Sequence, residues 1–187
     1  KLFKNYDLDG YIVPKNDEFF SEYIPENKDR LKFISNFSGS YGFALILKNK
    51  NYLFVDGRYT LQAKMQSERS FDIITIPKKL PFDILKKKKL NIGFDPKLHT
   101  QTNLKVFFNK TSCRLVPINQ NLIDKLYVKK VNNKLKQFYI LPRRAVDYNY
   151  KLKINKLVNI LNKKKIEFQF ISSSENIAWL LKIRGQD

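Results

Sequence analysis

Residues 21–66 read SEYIPENKDRLKFISNFSGSYGFALILKNKNYLFVDGRYTLQAKMQ, and the reading of this stretch decides the fold. Two apolar runs, GFALIL at 42–47 and YLFV at 52–55, flank the polar residues 48–51. Such runs around a short polar turn make a β-hairpin. Upstream, Leu31, Phe33, Ile34 and Phe37 recur at helical spacing, so a short helix is expected from Lys28 to the Ser38-Gly39-Ser40 turn. Glycine in that turn would relieve the cost of unusual backbone angles. Downstream, Asp56 and Gly57 close the second strand. Residues 59–66 alternate apolar and polar side chains, which a strand also allows. Their helix-forming composition, with Asp56 placed as a cap, decides for a helix.

Working outward, strands are expected at 10–13 (GYIV, stopped by Pro14), 71–76, 90–94 and 112–116, each rich in β-branched or aromatic residues. Helices are expected at 81–89 and 100–109, with a helical turn at 121–127. Alternating strands and helices define an α/β class, here a mixed sheet flanked by helices. Residues 128–137 are polar, basic and without periodicity, which places a boundary between a first domain, 1–127, and a second, 128–187. The second reads as the start of another α/β domain: an apolar segment at 138–141, a helix at 150–161, a strand at 166–171 and a last helix capped by residues 172–174. Ile177, Trp179 to Leu181 and Ile183 are expected to pack inward, with Trp179 in the core. No strand follows the last helix, so this domain reads as truncated.

Composition narrows the function. Hydrophobic residues make up 43% of the 187, enough for a packed core, and no apolar run reaches the ~20 residues of a membrane span. No signal-peptide pattern opens the chain. Cys113 is the only cysteine and His99 the only histidine, which removes a Cys/His zinc site and fits a reducing compartment, the cytoplasm. Cys113 reads as a structural thiol and His99 as a surface or capping residue. The acidic residues Asp17, Glu18, Glu22 and Glu26 read as solvated. Net charge is +19, which raises the alternative of a stand-alone basic nucleic-acid-binding module. Against it, only 7 of the 36 basic residues are arginine, and the 29 lysines are dispersed apart from 86–89 and 163–165. Base readers favour the planar arginine fork; no nucleic-acid partner and no membrane are expected.

The order GYIVP, FSGSYG, DGRY about fifteen residues further on, and the distant IAWLLKIRG resembles the N-terminal region of Xaa-Pro aminopeptidases of the aminopeptidase P type, in the creatinase/prolidase group. The resemblance covers residues 10–187. It departs at Tyr41, where the family carries a small residue, and at Phe54, often tryptophan. It implies a creatinase/prolidase N-terminal-type domain and the start of a middle domain. It also implies a pita-bread catalytic domain further along the chain, with two divalent metal ions, manganese by expectation, held by two Asp, one His and two Glu. None of those ligand motifs occurs here, so no catalytic or metal residue is assigned, and the 187-residue chain is expected to be inactive alone. The implied parent is a dimeric or larger metallopeptidase that removes the residue before proline from a peptide. Its first domains build the oligomer and shape access to the active site. By that resemblance Arg58 and Tyr59 are the candidate substrate-gating or subunit-interface residues. A catalytically dead creatinase-like oligomerisation scaffold is the further alternative.

Overall fold

A computed structural model of the chain describes residues 2–126, 137–145 and 149–185. The polypeptide forms two compact units, Lys1–Val131 and Asn132–Asp187. The boundary expected after residue 127 lies outside the described residues.

In the first unit the elements follow the sequence closely: α1 (Leu2–Asn5), β1 (Gly10–Pro14), α2 (Arg30–Ser35), β2 (Gly42–Leu47), β3 (Asn51–Asp56), α3 (Thr60–Ser67), β4 (Asp72–Ile76), α4 (Pro81–Leu85), β5 (Asn91–Phe94), α5 (Gln101–Phe108) and β6 (Arg114–Pro117). The six strands form one mixed sheet in the order β4-β3-β2-β1-β5-β6. The hairpin β2–β3 is antiparallel and pairs Phe43 with Phe54 and Ile46 with Asn51, as the polar turn between the two runs demands. β1 lies antiparallel to β2 and parallel to β5, and β5 is parallel to β6.

Strand alternation sends successive side chains to opposite faces. Tyr11, Val13, Ala44, Leu53 and Val55 pack with Leu31 of α2 and Ala63 of α3. Ile12, Phe43, Leu45 and Phe54 pack on the other face with Leu85 of α4 and Phe108 of α5. The result is a mixed sheet with helices on both faces, which is the expected class. Three details differ from expectation. The first is α1, since no element is expected before Gly10. α2 ends at Ser35 and turns on Asn36, whose φ of 60° is left-handed, while no glycine of the described chain has a positive φ. Asparagine tolerates that conformation because its short polar side chain bonds locally. α4 is also shorter than its lysine tail suggested, since Lys86 leaves the helix with ψ 131°.

The second unit, described by itself, holds β7 (Tyr139–Ile140), α6 (Tyr150–Lys163), α7 (Ser174–Leu181) and β8 (Ile183–Arg184). Asn149 and Ser173 cap the two helices through their side chains. Three expectations are corrected. Residues 166–171 form no strand, and none of the described residues pairs with them in a ladder. A short strand does follow the last helix, and β8 pairs antiparallel with β7. Trp179 is 62% exposed, with Lys153 Nζ 4.0 Å above its ring and bonded to its carbonyl at 2.6 Å. A cation over the indole face is an alternative to burial that sequence periodicity does not distinguish. Phe168 and Phe170 are 86% and 87% exposed.

Candidate functional site

The corner that carries Arg58 and Tyr59 is built by Asp56. At the end of β3 its extended backbone (φ −74°, ψ 168°) lets Oδ1 accept from the Arg58 backbone N–H at 2.9 Å, which caps a single 3₁₀ turn leading into α3. The Arg58 guanidinium folds back on the same carboxylate, with Nη2 2.6 Å and Nε 3.1 Å from Oδ2. Those bonds hold the Asp56 carboxyl below the usual carboxylate range. Arg58 remains 73% exposed along its side chain, lies 5.3 Å from the Tyr59 ring centre, and keeps Nη1 uncommitted among the described residues. Tyr59 meets Phe37 edge-on at 5.9 Å, and its hydroxyl bonds Ser40 Oγ at 2.7 Å.

The glycine-serine turn is clamped beside this corner. Ser38 Oγ accepts from Gln62 and Gln66 of α3, each at 2.9 Å, and the Ser38 N–H donates to Gln66 Oε1 at 3.0 Å. Gly39 is required by proximity: a Cβ there would lie 2.3 Å from Phe37 Cζ and 2.9 Å from Tyr59 Cδ1. Gly39→Ala is therefore expected to destabilise the unit by about 1–3 kcal/mol, as overpacking does, measured by urea unfolding. A loss below about 0.5 kcal/mol would show that the two rings move aside freely.

Sequence reasoning missed a second polar centre. Arg30 is 4% exposed and opens α2. Its Nε and Nη2 bond Asp124 at 2.9 and 2.7 Å, and Nη2 also reaches Glu18 Oε1 at 2.7 Å. Nη1 is buried without an acceptor. Burial alone would raise the Glu18 carboxyl, but hydrogen bonds from Lys28 and Arg30 outweigh it and hold it at about 2. The acidic cluster is thus only partly solvated. Asp17 is buried and accepts from the N–H groups of Phe19 and Ser21 at 3.0 and 2.9 Å, while Glu18 and Glu26 pair with lysines. One signal was available: Arg30 is the sole arginine before position 58 in a chain that otherwise uses lysine. A bidentate fork is the function that lysine cannot supply.

His99 is also relocated. Thr100 caps α5, accepting from the Asn103 N–H at 3.2 Å, while the His99 ring sits edge-on to Phe94 at 5.9 Å with Nε2 buried and unpaired. Burial lowers its pKa from 6.5 to about 4. A folded value below the unfolded one means that the unfolded chain binds the proton first. The stability is therefore complete above pH 6.5 and is lost as the pH falls toward 4. The loss amounts to about 3 kcal/mol, because a difference of one pH unit between the folded and unfolded values is worth about 1.36 kcal/mol. His99→Phe should remove that slope in urea titrations across pH 4–7; an unchanged slope would place its origin elsewhere. Cys113 is half-buried just before β6, its thiol 3.4 Å from the Lys88 carbonyl.

Among the described residues, no three His, Cys, Asp or Glu side chains come together as a set of metal ligands. These side chains do not fit a di-metal centre, and no metal-dependent step is derived from them. No described helix is long and apolar enough to cross a membrane.

A six-stranded mixed sheet between helices is the architecture of a family. Residues 1–126 match the creatinase/prolidase N-terminal domain model, and the chain belongs to that family. Its similarity extends to particular enzymes. The chain is 30% identical to a probable Xaa-Pro aminopeptidase P of Coprinopsis cinerea, covering 100% of this chain and 32% of that protein. It is 32% identical to the corresponding protein of Neosartorya fischeri, covering 100% and 30%. The chain therefore spans about a third of the length of these relatives. Among solved structures, the X-prolyl aminopeptidase of Caenorhabditis elegans, a cytosolic enzyme with a di-nuclear active site, superposes with a TM-score of 0.79. That match has 26% identity and covers 96% of this chain and 31% of that one. The N-terminal domain of a cytoplasmic peptidase from Mycobacterium tuberculosis shares the fold at a TM-score of 0.51 and 18% identity, over 67% of this chain and 92% of that domain.

Proposed function

We propose that this chain is the non-catalytic N-terminal region of an Xaa-Pro aminopeptidase, a cytoplasmic metallopeptidase that releases the N-terminal residue ahead of proline. The observation that carries this reading is the superposition on the Caenorhabditis elegans X-prolyl aminopeptidase across 96% of the chain at a TM-score of 0.79. In this reading the peptide bond is cleaved in a further domain by two divalent metal ions, with manganese as the metal to test. The residues of the present chain contribute oligomerisation and access to that site.

Residues 128–187 then form the first part of a middle α/β domain. The exposed, unpaired run IEFQFI at 166–171 supports that assignment, since Phe168 and Phe170 present alternate side chains that a completed sheet would cover. Arg58 and Tyr59 are the residues we assign to the gate or the subunit interface. The uncommitted Nη1 of an exposed, rigidly held guanidinium suits a carboxylate on a peptide or on a second subunit.

The test is an assay of Xaa-Pro peptides with manganese on two proteins, the 187-residue chain and the product of the reading frame that contains it. Turnover by the longer protein and none by the shorter one is the expected result. Robust turnover by the 187-residue chain would overturn the reading, and so would a longer product with no activity. In the active protein, Arg58→Ala should raise KM or weaken the dimer. No change in either removes Arg58 from these roles.

A further inference from the structure

The hydrogen-bonding capacity left over around Arg30 points to a binding site. A cavity of about 350 Å³ opens beyond the carboxyl ends of the parallel strands β1, β5 and β6. In open α/β sheets that end of the strands is where ligands gather. The charged groups in its wall are Glu18, Asp95, Asp124, Arg30, Lys97 and Lys125, three of each sign.

The two signs are not equally available. Glu18 is held by Lys28 and Arg30, and both oxygens of Asp124 accept from Arg30. Asp95 accepts from the Lys97 N–H with one oxygen and from Asn121 Nδ2 with the other, at 3.0 and 2.9 Å. Every carboxylate is therefore already engaged by the protein itself. The cations still have donors to spare. The Lys97 ammonium has no acceptor among the described residues. Lys125 touches only the hydroxyl and ring of Tyr6 and forms no ion pair among them. Arg30, itself part of the wall and nine-tenths or more buried, keeps Nη1 without an acceptor.

We propose that this cavity binds a small oxyanion, the carboxylate or phosphate group of a small molecule, through the ammonium groups of Lys97 and Lys125, with the Arg30 guanidinium in the wall behind them as a further positive charge. The volume lies at the lower end of the range for small-molecule sites, and the net charge of +19 favours capture of anions from solution. The site goes beyond the peptidase reading and does not depend on it.

The experiment is calorimetric titration of the 187-residue chain with inorganic phosphate and, separately, with acetate. Saturable one-to-one binding of phosphate alone identifies a phosphate ligand, of acetate alone a carboxylate ligand, and of both a general oxyanion site. Lys97→Gln should weaken that binding about tenfold. Lys87→Gln, in the lysine run at 86–89, should leave it within twofold. No saturable binding of either anion overturns the proposal. Binding that ignores Lys97→Gln, or that falls equally with Lys87→Gln, also overturns it, because it reports only a diffuse positive surface.

Discussion

Arg30→Ala is expected to lower the unfolding free energy of this chain by about 3–5 kcal/mol, the cost of removing one member of a buried ion-pair network. Three bonds from Arg30 disappear: Asp124 loses the fork that grips both its oxygens, and Glu18 is left with Lys28. Both carboxylates keep some contact with water, at 26% and 35% side-chain exposure, which favours the lower end of that range. Arg30→Lys restores the charge without the fork, so it recovers only part of the loss. The acid limb responds as well. Glu18 has a folded pKa of about 2 against an ordinary 4.5, so its contribution is complete above pH 4.5 and disappears as the pH falls toward 2. In Arg30→Ala that part of the acid transition becomes shallower but persists, because Lys28 still holds Glu18. Urea unfolding at pH 7 and pH 3 reads both effects. A loss below about 1 kcal/mol at pH 7 would show that the network is replaceable by water.

Phe54→Ala is the second large effect, at about 3–5 kcal/mol, the usual cost of truncating a buried phenylalanine. Phe54 is fully buried in β3, directly opposite Phe43 in the register. The two rings stack at 4.6 Å with 6° between their planes, and Phe43 stacks in turn on Phe107 of α5 at 4.5 Å. Removing Phe54 therefore loses the pair and leaves a cavity that the sheet backbone holds open. Phe54→Leu, which keeps most of the volume, should lose less than half as much. Equal losses for the two variants would assign the effect to the aromatic contact itself.

The hairpin and the corner were legible because their causes are local. GFALIL, a four-residue polar turn and YLFV carry their own register, and Asp56 caps the turn two residues ahead of it. Arg58 and Tyr59 were singled out by the family resemblance rather than by any local pattern, and their exposed and half-exposed surroundings came from the fold. Helix α2 was found by its spacing, but its end was misplaced. The choice of Asn36 over Gly39 for the left-handed residue depends on how Phe37 packs beneath Gly39 and Tyr59.

Sequence alone therefore determined the α/β class, the order of strands and helices from β1 to β6, and the family signature, because strand alternation, turn residues and caps act over a few positions. Tertiary structure decided everything that needs distant partners. Arg30 meets Asp124 across 94 positions, and Asn121 meets Asp95 across 26, so the polar centre exists only once the ends of β1, β5 and β6 lie side by side. His99 has its Nε2 buried, with Phe94 edge-on against the ring. Residues 166–171, strand-like in composition, remain outside any ladder, since a strand is completed by its neighbour rather than by its own residues.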